Sequence, residues 1–244
     1  MKDNRKVVII TGCSSGIGKS TVEKYIKEGF YVIGLDKSPG PKMNNFNYYQ
    51  VNLSDEEEVK NVFQTIKSEG ILLDYLINCA GVFYCTDRYE IAEMNSQEWN
   101  DVLSNNLNSC MYVVKYAIPL FDINDDSAIV FVSSDQANMP RKRNGAYATS
   151  KGAINTFAKT CAVELVDKGI RVNVVEAASV DTNFILKLAG SREKMRQIYT
   201  KENEKMPLGL INPDEVAEAI YFLGSAMAKK ITGQKILIDS GLYL

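Results

Sequence analysis

The chain has 244 residues, 45% of them apolar, a formal net charge of −2 and no histidine. That length and composition suit one sizeable α/β domain and exclude wholesale disorder, and the lack of any long basic stripe argues against a nucleic-acid partner. Without histidine, Ser-His-Asp and Cys-His catalysis and the commonest metal ligand are excluded, so acid–base chemistry falls to Tyr, Lys, Asp, Glu or Cys.

The first apolar run, Val7–Ile10, is too short for a signal peptide, and no stretch approaches a membrane span, so the expected location is the cytoplasm. Strands are expected at Val7–Thr11, Tyr31–Asp36, Tyr48–Val51, Tyr75–Asn78, Ala128–Ser133, Arg171–Glu176 and Lys235–Ile238. Most are near-continuous apolar runs, as parallel strands buried on both faces require. Helical patterns lie between them. Ile17, Val22, Tyr25 and Ile26 share one face, and Ser54 with Glu57 reads as a capping box ahead of Val59, Val62, Phe63 and Ile66. Asn212-Pro213-Asp214-Glu215 reads as cap, proline and first-turn acids. The alternation implies a single domain with a doubly wound, seven-stranded parallel sheet and helices on both faces. Two stretches depart from it: 37–47 is turn-rich and too short for a full helix, and 182–210 reads as a substrate loop or lid. The five cysteines, Cys13, Cys79, Cys85, Cys110 and Cys161, show no CxxC and read as buried thiols, with no metal site expected.

Thr11-Gly12-Cys13-Ser14-Ser15-Gly16-Ile17-Gly18 follows the first strand directly. Glycines there let a strand turn sharply into a helix and let backbone approach phosphate closely, with the helix N-terminus aimed at the pyrophosphate. The TGxxxGxG spacing resembles the short-chain dehydrogenase/reductase family, and with it a Rossmann-like fold. The resemblance makes Gly12, Ser14, Ser15, Gly16, Ile17 and Gly18 a dinucleotide loop. Asp36, 18 residues after Gly18 at the end of the second strand, can bond ribose hydroxyls and would repel a 2′-phosphate. That favours NAD over NADP, with Lys37 the basic residue that blurs the preference; the plain alternative for Asp36 is a solvated turn. Asn52 and Leu53 follow the third strand, with Asn52 where the family often has Asp. Asn78-Cys79-Ala80-Gly81 is similar to the family's NNAG segment, so Asn78, Ala80 and Gly81 are expected beside the cofactor.

Tyr147-Ala148-Thr149-Ser150-Lys151 is a YxxxK on an expected helix, with phenol and ammonium on one face. A nearby cation lowers a phenol's pKa from about 10 toward a usable base. Ser134 lies 13 residues before Tyr147, as the second Ser of a pair at a strand end, and Asn106 lies in Asn106-Leu107-Asn108-Ser109. Simple capping and helix surface are the plain alternatives for these two. The family resemblance implies catalytic roles. Tyr147 would be acid and base on the substrate oxygen, and Lys151 would lower its pKa and hold the nicotinamide ribose. Ser134 would polarise the substrate oxygen, and Asn106 would hold a relay water.

After the sixth strand the family commonly has Pro-Gly, where this chain has Ala177-Ala178, and Ser240 stands where glycine is usual. Val180 and Thr182 are expected at the cofactor. Ser134-Asp135-Gln136-Ala137-Asn138-Met139-Pro140-Arg141 resembles the 2,3-dihydro-2,3-dihydroxybenzoate dehydrogenase subgroup, which implies a cyclic hydroxy acid as substrate. Gln136 would then be a substrate contact and Arg141 a carboxylate fork, with a solvated turn or subunit contact as the plain alternative for Arg141. Two alternatives stay open: a sugar, polyol or other secondary-metabolite substrate, and a non-catalytic NAD-binding regulator. The family resemblance further implies a homodimer or homotetramer built through helices near 97–116 and 147–167 and the last strand.

Overall fold

The computed structural model describes residues 5–40, 43–83, 89–123, 126–182 and 204–244, with four single positions at 191, 193, 197 and 200. The sheet comprises β1 (Val7–Thr11), β2 (Tyr31–Asp36), β3 (Phe46–Gln50), β4 (Tyr75–Asn78), β5 (Ala128–Ser134), β6 (Arg171–Ala177) and β7 (Lys235–Ile238). Their spatial order is β3-β2-β1-β4-β5-β6-β7 and every pairing is parallel. The seven-stranded, doubly wound sheet expected from the alternation is what forms. β3 starts two residues earlier than the apolar pattern suggests, because Phe46 pairs with Val32 in register with β2.

Successive strand residues point to opposite faces, and the core divides accordingly. Ile9, Ile33, Leu76, Ile129 and Phe131 pack with α2 (Glu56–Ser68), α4 (Ser109–Ala117) and α5 (Gly145–Leu165). Val8, Ile10, Val32, Ile77 and Val130 pack on the other face with α1 (Gly16–Lys27) and α6 (Pro213–Gly224). The buried Arg171 side chain joins the layers by donating to the last carbonyls of α6, at Leu223 (2.7 Å), Gly224 (2.8 Å) and Ser225 (3.0 Å). A cation at a helix C-terminus meets both the free carbonyls and the negative dipole end.

Two helix starts can be compared with their sequence signals. At α6, Glu215 accepts from the Asn212 amide at 2.7 Å with Pro213 in the first turn, as the motif suggests. At α2 the expectation is corrected. Asp55, not Ser54, is the cap, accepting from the amides of Glu57 (3.0 Å) and Glu58 (3.1 Å). Ser54 instead donates to Asn52 Oδ1 at 2.8 Å, because the ionised carboxylate is the better acceptor for the helix amides. The helix expected over 97–116 is interrupted. α3 (Ser96–Leu103) passes through one wide π turn, Ser104–Asn108, before α4. Among the described residues no helix lies between β2 and β3, as the turn-rich 37–47 run indicates. Most of the expected 182–210 lid lies outside the described residues.

The chain runs outward from β1 through β2 to β3, then returns to place β4 on the other side of β1. That reversal opens a crevice at the carboxyl ends of β1 and β4, where ligands bind in sheets of this kind.

Candidate active site

The crevice begins at Thr11, whose hydroxyl accepts from the amides of Cys79 and Ala80, both at 3.1 Å, fixing the β1 and β4 ends together. Gly12 follows with φ +67°, and a Cβ there would sit 2.8 Å from the Ala80 backbone. Neither the conformation nor the space tolerates a side chain. A Cβ on Gly18 would overlap the Gly12 carbonyl, so the first turn of α1 lies directly on the loop. Ser15 caps α1 with extended backbone and without a side-chain hydrogen bond. Ser14 and Ile17 lie on the same loop and first turn, and Thr182 stands over Gly16, its Cγ2 3.2 Å from where a Cβ would be. Val180, just before it, pairs with Ile211.

Asp36 closes one end. Its Oδ2 accepts from the Ser14 amide at 3.0 Å and its Oδ1 from the Ser38 amide at 2.9 Å, so the carboxylate rests on the glycine loop itself. Leu53 is buried nearby in sequence to an exposed Asn52. Asn78 is buried, and neither atom of its amide has a partner. A glycine cradle, a helix start without a side-chain cap, a half-buried carboxylate and an unpartnered buried amide together fit a dinucleotide.

Four further side chains converge beyond Gly81. Asn106 sits in the π turn, fully buried. Its Nδ2 donates to the Val82 carbonyl (3.0 Å) and to Ser150 Oγ (2.9 Å), and its Oδ1 accepts from the Val82 amide at 2.6 Å. A single π turn inside a helix often marks a functional position. Lys151 is buried on α5. Its ammonium donates to the Val132 carbonyl at 3.0 Å and stands 5.7 Å from the Tyr147 ring centroid. A Cβ on Gly81 would lie 3.3 Å from Asn106 Oδ1 and 3.5 Å from Lys151 Nζ, so the bare glycine keeps this space open. Burial pulls the Lys151 pKa down, opposed by Cys110 and Cys79. Tyr147 is half-buried, with Phe83 edge-on at 4.8 Å. Burial pushes its phenol up to about 12, with Ser134 and Arg141 pulling down and Asp135 pushing up. Ser134 ends β5, where its hydroxyl donates to Asp135 Oδ1 at 2.8 Å.

Comparison with known proteins decides the family. The family model described as Enoyl-(Acyl carrier protein) reductase matches residues 12–243. The 3-oxoacyl-[acyl-carrier-protein] reductase FabG of Buchnera aphidicola is 32% identical over 254 residues, covering 100% of both chains. The 2,3-dihydro-2,3-dihydroxybenzoate dehydrogenase of Escherichia coli is 32% identical over 246 residues, 98% of this chain and 97% of that one. The aldohexose dehydrogenase of Thermoplasma acidophilum superposes with a TM-score of 0.91 at 31% identity, over 98% of this chain and 94% of that one. The chain belongs to the short-chain dehydrogenase/reductase family. It is a dehydrogenase/reductase, and the family binds nicotinamide cofactors.

Two departures from the short-chain dehydrogenase/reductase pattern become intelligible. Outside glycine, positive φ among the described residues occurs at Asn45, Arg143 and Ser240, so Ala178 does not need the freedom that Gly has. β6 runs on through Ala177 in register with Ser134, and the Ala178 amide donates to Ile238 at 2.9 Å. Ser240 does take the left-handed conformation, at φ 52°.

The substrate side differs more from the sequence reading. Arg141 does not stand alone in the site: its Nη2 donates to the buried Asp135 at 3.1 Å. Gln136 is buried, its Oε1 accepting from Asn144 at 2.7 Å and its amide donating to Ser134 Oγ at 3.2 Å. The sequence reading missed Asp135 and Tyr243, whose hydroxyl reaches Asp135 Oδ2 at 2.7 Å. An acidic residue directly after Ser134 was the available signal for the first. Nothing local signals the second. No described helix is long and apolar enough to cross a membrane.

Proposed function

We propose that this enzyme is an NAD-dependent dehydrogenase that interconverts a hydroxyl and a ketone on a small hydroxylated ring compound. The observation that carries the reading is the convergence of Asn106, Ser134, Tyr147 and Lys151 at the end of the dinucleotide crevice, linked through Gly81.

A nicotinamide held there would supply the hydride chemistry. Gly12, Gly16 and Gly18 with the Ser14, Ser15 and Ile17 backbone would cradle the pyrophosphate, and Thr182 would close over it. Asn78, Ala80, Gly81, Val180, Asn52 and Leu53 would line the remaining length. Asp36 would take the adenosine ribose hydroxyls and repel a 2′-phosphate, which favours NAD over NADP. Tyr147 removes the proton from the substrate hydroxyl in oxidation and returns it in reduction. Its high resting pKa makes it a strong base once ionised; Ser134 and Arg141 favour that ionised form, while the Lys151 ammonium stands 5.7 Å from the ring centroid. Ser134 holds the substrate oxygen beside the phenol. Asn106 keeps the π turn open next to Lys151, where a water can connect the ammonium to solvent.

The substrate reading that the Ser134–Arg141 stretch supports is a cyclic hydroxy acid, with Gln136 and Arg141 on its polar groups. One observation favours a second reading, a neutral sugar or polyol: Arg141 is already ion-paired with Asp135.

The test mixes the protein with NAD or NADP and a panel of cyclic and acyclic hydroxy compounds, acidic and neutral, and follows reduced cofactor, with Tyr147→Phe alongside. Turnover with NAD on ring hydroxy acids, lost in the variant, is the expected result. Turnover on neutral polyols alone would transfer the assignment to the second reading. Undiminished turnover in Tyr147→Phe would overturn the proposed chemistry.

A further inference from the structure

The turn after β2 is exposed at Lys37, Ser38 and Pro39, yet side chains from β3 and from the glycine loop hold it in place. From β3, the Tyr48 hydroxyl donates to the Asp36 carbonyl at 2.8 Å and also lies within hydrogen-bond reach of the Ser38 carbonyl, so one phenol proton serves both. Gln50 Nε2, at the end of the same strand, donates to the Lys37 carbonyl at 3.0 Å. Three successive carbonyls of the turn thus answer to two side chains of β3. From the glycine loop, Ser14 Oγ donates to the Ser38 carbonyl at 3.2 Å. Gly40 rests on the Tyr48 ring, where a Cβ would come 2.3 Å from Cδ2.

The turn matters for what it holds. Asp36 Oδ1 accepts the Ser38 amide and Oδ2 the Ser14 amide. A carboxylate has about four acceptor sites, so one is left on each oxygen. These match the two hydroxyl donors of an unmodified ribose. A 2′-phosphate would bring only negative charge and acceptors to the same place. A carboxylate free to rotate would turn toward solvent and relieve that repulsion. Asp36 is not free to do so while the Ser38 amide stays fixed. We infer that Tyr48, assisted by Gln50, is a positioning residue for dinucleotide choice: it pins the 36–38 turn from β3 and so holds the Asp36 carboxylate toward the ribose hydroxyls and against a 2′-phosphate. The inference rests on the NAD reading proposed above and deepens it. Asp36 supplies the charge, and β3 keeps the charge in place.

Tyr48→Phe keeps the ring on Gly40 and removes only the hydroxyl. With the turn released, NAD loses a preformed pair of acceptors and NADP loses part of the repulsion. The two affinities therefore converge. General loosening of the fold would instead weaken both dinucleotides alike.

The experiment is titration calorimetry of the full chain with NAD and with NADP, on the parent, Tyr48→Phe, Gln50→Ala and Asp36→Ala, and on Tyr48→Phe combined with Asp36→Ala. The parent should bind NAD more tightly. In Tyr48→Phe the ratio of the NADP Kd to the NAD Kd should fall by about three- to tenfold, the worth of one hydrogen bond, and in Gln50→Ala by less. On the Asp36→Ala background the same Tyr48 change should leave the ratio where it is, because no carboxylate remains to be positioned. An unmoved ratio in a folded Tyr48→Phe overturns the inference, and so does an equal fall without Asp36. If Tyr48→Phe does not fold, Gln50→Ala at its exposed site decides: a fall supports the role, and no change or a rise overturns it. A parent without preference for NAD would remove the NAD reading and this inference together. A parent that prefers NAD, with the ratio unmoved by Tyr48→Phe, removes the inference alone.

Discussion

Asn106 Nδ2 donates to Ser150 Oγ over 2.9 Å, joining the π turn to the residue just before Lys151. The same side chain bonds both the amide and the carbonyl of Val82, at 2.6 and 3.0 Å. One amide therefore holds three segments of the site in place.

Replacing Asn106 by Ala would leave the Val82 groups and the Ser150 hydroxyl without these partners. Unsatisfied buried polar groups cost about 1–3 kcal/mol each, and partial relaxation should leave a net loss of about 3 kcal/mol. For a chain of this size that lowers Tm by roughly 6–12 °C. Calorimetry checks it; a Tm within a degree of the parent would contradict the proposed linkage.

Asp36 accepts from one amide on the glycine loop, that of Ser14, and from the Ser38 amide just beyond β2. Asp36→Ala should weaken NAD binding by about tenfold, the value of one charge-assisted hydrogen bond, while NADP binding weakens less or improves. Titration calorimetry with both dinucleotides measures the ratio. An equal loss for both would assign Asp36 to loop support alone.

Ser240 stands at φ 52° beside Gly241, and its carbonyl accepts from Leu208 at 3.2 Å, a bond that any residue can make. Left-handed backbone costs a residue with a Cβ about 1 kcal/mol or more, partly offset by the greater unfolded entropy of glycine. Ser240→Gly should therefore stabilise by about 0.5–1 kcal/mol. A denaturant midpoint that moves down would contradict the strain.

Alkaline conditions should unfold the protein early. Burial pushes the thiols of Cys13, Cys79 and Cys161 up to about 12, from 9.0, and that of Cys110 to about 11. Tyr147 rises to about 12 from 10.0 by the same cause. In each case the folded chain holds the proton more tightly than the unfolded one. The contribution is fully present below about pH 9 and is lost as pH rises through about 12. Tm measured at intervals from pH 8 to 11.5 should decline steeply above pH 9.5. A flat profile would show that these thiols and the phenol are more accessible than their packing implies.

The parts of the site that could be read in the sequence are those whose chemistry is local. Gly12, Gly16 and Gly18 follow a strand at fixed spacing because a tight turn and a close helix demand it. Tyr147 and Lys151 are one helical turn apart, so one face carries both. Strand ends were legible to within a residue or two, since parallel strands buried on both faces must be continuously apolar. Ser54 misled because its spacing to Glu57 fits a capping box, while the adjacent Asp55 offers a stronger acceptor. The break at 104–108 was invisible, because a π turn arises from how Asn106 is held by Val82 and Ser150 rather than from any local pattern.

By itself the sequence determined the layered α/β architecture, the glycine loop at the end of β1 and the family of the enzyme. Periodicity and short spacings are properties of one segment at a time. Tertiary structure alone decided that Arg141 answers to Asp135 and that Tyr243 reaches the same carboxylate. It also decided that Ala178 can replace a glycine without strain. Each of these depends on where a distant backbone arrives. Whether a hydroxyl donates or accepts is set by the partners that arrive with it.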